Sequence, residues 1–122
     1  MEQQVLIWSR LKSLDNENIK NTENKPAVFR FSKKQADGKF YVFFVGSTAN
    51  LKDELLKLRS DKNDNVPLKS YLEQGGDFSF RYALVEDENM QKAIEKQMYK
   101  HYAPQFNIKE PNSSLDVKAN LN

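Results

Sequence analysis

Apolar residues along this chain alternate in two blocks and repeat at helical spacing in three others. Ala27, Phe29 and Phe31 alternate with Val28, Arg30 and Ser32 behind Pro26, which predicts a strand. Phe40–Val45 is apolar on both faces, which predicts a central strand. Asp37-Gly38 between the two is a turn signal, so residues 26–46 read as a hairpin. Phe78, Phe80, Tyr82 and Leu84 alternate with Ser79, Arg81, Ala83 and Val85 and predict a third strand. Leu51, Leu55 and Leu58 mark one face of a helix capped by Asn50, and Gly46 is the residue a strand-to-helix turn requires. Pro67 opens a short helix ending before Gly75-Gly76. Asp87 caps a longer helix whose stripe is Met90, Ala93, Ile94, Met98 and Tyr102, with Pro104 past its stop. Apolar positions 7, 8, 11 and 14 predict a helix over Val5–Leu14, followed by a polar connector. The polar stretch from Pro111 to Asn122 predicts a flexible tail. The fold class is α/β (α+β), a small three-stranded, mostly antiparallel sheet flanked by helices, with an added N-terminal helix.

Composition narrows the chemistry. At 122 residues the chain makes one domain with one core. Eight Phe, five Tyr and one Trp argue against disorder. With no cysteine there is no disulfide, thiolate metal site or cysteine nucleophile, and the lone His101 excludes a multi-histidine centre. Catalysis would have to use carboxylates, hydroxyls, amides, Lys or Arg. His101 lies near a helix end and is expected to be exposed. The net charge of +2 is too small to announce a nucleic-acid binder. Lys33, Lys34 and Lys39 cluster at the hairpin, and Lys52, Lys57, Arg59 and Lys62 around the first long helix, but acidic residues interrupt both sets. No apolar run is long enough to span a bilayer, and no leader is recognisable, so the expectation is a cytoplasmic protein without a membrane partner.

Three segments together resemble the GIY-YIG nuclease domain: Ala27-Val28-Phe29, then Phe44-Val45-Gly46-Ser47-Thr48-Ala49-Asn50-Leu51, then Glu95 followed twelve residues later by Asn107. They cover Pro26 to Asn107, so the chain divides into residues 1–25 (helix and connector), 26–110 (the GIY-YIG-like domain) and 111–122 (tail). The resemblance implies hydrolysis of a nucleic-acid phosphodiester with one divalent metal, two cleft tyrosines, a phosphate-steadying arginine, a metal-binding glutamate and an organising asparagine.

The tyrosine positions fall on Phe29 and Phe44, which keep the ring and lose the hydroxyl. The arginine position falls on Glu54, a charge reversal, while Glu95 and Asn107 are kept. Tyr41, three residues before Phe44, points to the opposite strand face unless a bulge intervenes. Lys57, one turn after Glu54, is the best substitute cation; Arg59 lies about 140° round the helix. Glu54 and Glu95 could instead face one cleft and share a metal through hard oxygen ligands. Each residue also has a plainer role: core packing for the phenylalanines, a solvated helix face for Glu54, a salt-bridged position for Glu95, and loop hydrogen bonding for Asn107.

The leading expectation is a catalytically degenerate domain that persists as a binding or interaction module, for weak nucleic-acid contact or for a protein partner. No cofactor is then expected. A second reading is a divergent active endonuclease using Glu95, Lys57 and Mg²⁺ or Mn²⁺. A third is a structural or regulatory interaction protein.

Overall fold

The computed structural model describes residues 2–122. Its strands are β1 (Glu2–Gln4), β2 (Lys12–Ser13), β3 (Ala27–Lys34), β4 (Phe40–Thr48), β5 (Phe78–Leu84) and β6 (Val117–Ala119). Its helices are α1 (Asn16–Lys20), α2 (Leu51–Leu58), α3 (Val66–Glu73) and α4 (Glu88–Tyr102). Four strands form one antiparallel sheet in the order β2-β5-β3-β4, and β1 pairs in parallel with β6.

The central strand is β3, hydrogen-bonded to both β4 and β5, and its residues Ala27 to Ser32 are all buried. One sheet face carries Phe29, Phe31, Phe43, Phe78 and Phe80 against α1, α2 and α3, through Ile19, Leu51, Leu55, Leu58, Leu68 and Leu72. The other carries Val28, Val45, Ala83 and Val85 against Met90, Ala93, Ile94 and Met98 of α4. Period-2 alternation in the strands sorts these two sets.

Several expectations change. The sheet has four strands rather than three. Residues 5–14 form no helix: Trp8 bridges Ala83, Ser9 N–H donates to the Tyr82 carbonyl, and β2 pairs with β5. The reason lies in their own alternation, with Leu6 5% exposed between Val5 at 82% and Ile7 at 89%. A short helix, α1, stands instead inside the expected connector, where the Asp15 side chain accepts from Asn18 N–H. The expected flexible tail is ordered as β6, with Val117, Ala119 and Leu121 buried beside α4.

β4 is an edge strand, not a central one. Its apolar run arises from a bulge: Phe31 faces Phe44 while Ser32 faces Val42, so Phe43 is the extra residue. Phe43 and Phe44 therefore both join the α2–α3 face, with Val42 and Val45 on the other. The same bulge restores Tyr41 to the face of Phe44, although Tyr41 is exposed and its hydroxyl donates to Asp37 at the hairpin turn, 2.5 Å away. Asn50 ends the strand-to-helix connection without capping α2 through its side chain.

The candidate cleft and its glutamate

The stripe that anchors α4 fixes Glu95. Ile94 and Met98 are fully buried, so Glu95 sits at the stripe's edge with its side chain 13% exposed. Ser47 is the next α4-facing position on β4 after Val45, and its hydroxyl donates to Glu95 Oε1 at 2.5 Å. Lys92, one turn earlier, places its Nζ 3.7 Å from the same oxygen. Burial pushes the Glu95 carboxyl above its ordinary pKa, against the opposing pull of Ser47 and Lys92. An open cleft of about 370 Å³, lined by Ser47, Thr48, Glu86, Glu88 and Lys92 among others, borders this pair.

Asn107 closes the outer edge of β4. After α4 the chain turns at Ala103, whose φ of 47° is left-handed, and Pro104 prevents the helix continuing. The returning segment lies along the strand: Phe106 N–H donates to the Phe43 carbonyl. The Asn107 amide then accepts from Val45 N–H at 3.0 Å and donates to Val45 C=O at 2.8 Å. One side chain thus supplies the hydrogen bonds a neighbouring strand would give. Asn65, at the start of α3, steadies the segment by donating to the Phe106 carbonyl.

Phe29 is 1% exposed, and its ring lies 6.2 Å from that of the half-buried Phe44. Gly46 belongs to β4 rather than to a turn; a Cβ there would meet Phe29 Cζ at 2.5 Å. The glycine is needed for the ring above it. Glu54 is half-buried on α2, and α2 packs on the other face of the sheet from α4. Lys57 is exposed, and no ion pair joins it to Glu54 among the described residues. His101 is exposed near the end of α4, edge-on to Tyr102 at 4.7 Å.

The structure thus joins Glu95 to β4 through Ser47 and Asn107 to β4 through Val45, and gathers Phe29, Phe44 and Gly46 on the opposite face. No group of three or more His, Cys, Asp or Glu positioned for a metal occurs among the described residues. Glu95 Oε2 has no protein partner among the described residues, which leaves one oxygen for a cation. Ser47 and Lys92 were not singled out from the sequence. Their signals were a hydroxyl two residues past Val45 on a strand, and a lysine one helical turn before Glu95.

No protein-family model matches the sequence, and neither does any curated protein. Solved structures do match. The magnesium-bound GIY-YIG N-terminal endonuclease domain of UvrC from Thermotoga maritima superimposes with a TM-score of 0.58 at 18% identity, over 77% of this chain and 100% of that one. A tyrosine-to-phenylalanine point mutant of that domain, bound to the catalytic divalent cation, gives 0.58 at 19% identity over 78% and 100%. An asparagine-to-alanine mutant, also cation-bound, gives 0.58 at 17% over 78% and 100%. No helix among the described residues is long and apolar enough to cross a membrane. With the antiparallel sheet between α2–α3 and α4, the β3–β4 hairpin running from its interior to its edge, and Glu95 and Asn107 both held against β4, this chain has a GIY-YIG-like fold.

Proposed function

We propose that this chain is a GIY-YIG-like nucleic-acid-binding module in which phosphodiester hydrolysis has been given up. The observation that carries the reading is the Phe29–Phe44 pair: two rings 6.2 Å apart, with no hydroxyl at either tyrosine position. Neither ring can accept or donate a proton. Glu54 stands at the arginine position, so no cation is offered there to charge developing on a phosphoryl group; losing one such donor typically costs about 10²–10³ in rate.

Were Mg²⁺ or Mn²⁺ to bind, Glu95 would hold it through Oε2, the oxygen that Ser47 and Lys92 leave free. A bound cation would supply charge to a phosphate oxygen. The protein's own contribution is orientation: Ser47 fixes one carboxylate oxygen and leaves the other free. The UvrC tyrosine-to-phenylalanine mutant holds its cation, so hydroxyl loss and cation binding are separable in that domain. This preserved carboxylate is also what favours the second reading, a divergent active endonuclease.

Plasmid nicking with Mg²⁺ and with Mn²⁺, run beside Glu95→Ala, tests the proposal. No nicking in either protein, with salt-sensitive oligonucleotide binding, is the expected result. Nicking that disappears in Glu95→Ala overturns it in favour of the enzyme. A chain that neither nicks nor binds overturns the nucleic-acid reading.

A further inference from the structure

Three open clefts run end to end along α4. The cleft beside Ser47 and Thr48 shares Lys92 with a second of about 590 Å³, lined by Asn89, Lys92, Asn112, Ser113, Ser114 and Leu115. The second shares Ser113, Ser114 and Leu115 with a third of about 320 Å³ that reaches Lys96 and Lys100. The far wall is the segment from Asn112 to Asp116, which lies outside the stretch that carries the family resemblance. Lys96 ties this wall to the helix by donating to the Ser113 carbonyl at 3.1 Å.

We infer that this trough takes the sugar-phosphate backbone of a single nucleic-acid strand and leads it away from the Glu95 end. The inference rests on the nucleic-acid reading above. The middle cleft argues for an anionic ligand. It contains one cation, two amides, two hydroxyls and no carboxylate. Lys92, Lys96 and Lys100 recur once per helical turn, about 6 Å apart along the axis, a linear repeat that suits evenly spaced phosphates better than one compact anion. Acidic groups stand at the ends and rim: Glu86 and Glu88 near Ser47, Asp116 in the third cleft, and Glu110 4.0 Å from Lys96. A single row of lysines along α4 follows one backbone.

The test measures anisotropy of a labelled oligodeoxythymidine against salt, for wild type, Lys96→Gln/Lys100→Gln, and a Lys34→Gln/Lys39→Gln control in the exposed hairpin. Ser114→Glu, at an exposed position, adds an opposing charge while leaving the lysines in place. Thermal melts confirm that each variant is folded. Loss of two phosphate contacts should lower the slope of log K against log salt by roughly 1.4, at about 0.7 per contact, in the α4 pair only. Ser114→Glu should weaken binding as well. Wild-type binding that the α4 variants leave unchanged, or that prefers duplex, overturns the trough while keeping the nucleic-acid reading. Absence of wild-type binding overturns both.

Discussion

The ring of Phe29 occupies the space a side chain on Gly46 would need: a Cβ there would lie 2.5 Å from Cζ and 2.8 Å from Cε1. Phe29 is itself wedged against Phe31 and Phe44, with centroids 5.5 and 6.2 Å away. Gly46→Ala therefore has no cheap relaxation. It should cost about 1–3 kcal/mol in urea unfolding. Phe29→Leu in the same chain should recover part of that loss, since the two sites share one volume. A Gly46→Ala protein as stable as wild type would contradict the packing described.

Asn107→Ala strips Val45 of both side-chain hydrogen bonds at once. The expected loss is about 1–3 kcal/mol, together with faster hydrogen exchange at the Val45 amide. Asn107→Asp should be worse than a half-loss, because it keeps the acceptor for Val45 N–H but sets a carboxylate oxygen against Val45 C=O.

Burial raises the Glu95 pKa above its unfolded value, so the folded state holds this proton more tightly. The associated stability is fully present below the ordinary carboxylate pKa and is lost as pH rises through the higher folded value. Glu95→Gln removes that slope while keeping an acceptor for Ser47. The variant's melting temperature should match wild type in acid and exceed it at neutral pH. A wild-type advantage at neutral pH would show that the ion pair with Lys92 outweighs the cost of burial.

Ala103 carries a left-handed backbone at the exposed end of α4, its N–H bonded to the Tyr99 carbonyl. A Cβ in that conformation costs about 1 kcal/mol that glycine does not incur. Ala103→Gly should stabilise the protein by roughly 0.5–1 kcal/mol without changing oligonucleotide affinity; calorimetry and anisotropy check the two halves of that statement.

How legible the fold was depends on which period dominated each segment. β3, β5, α2, α3 and α4 could be read because several large apolar residues repeat at one spacing. Val5 to Trp8 misled because positions 7, 8, 11 and 14 fit a helix, while Leu6 and Trp8 point inward and Val5 and Ile7 outward at period two. Val117, Ala119 and Leu121 show the same alternation inside a polar sequence, where three modest residues make a faint signal. α1 buries Ile19 alone, so its strongest mark was the cap at Asp15. In the site, the pairing of Asn107 with Val45 spans 62 positions, a separation that no local pattern announces.

The β1–β6 ribbon joins Glu2 to Val117, and Asn120 bonds both backbone groups of Leu6 across 114 positions. Closing so long a loop is entropically expensive and pays back only three rungs of ladder. These contacts should therefore be among the last to form and the first to breathe, well below the global unfolding free energy. What they cover is not inert: Arg30 is 7% exposed, its guanidinium 4.6 Å from the Trp8 ring and 5.3 Å from Tyr102, with Nη1 donating to the Leu121 carbonyl. Each opening of the ribbon would bare, for an instant, a cation that the closed protein keeps out of water.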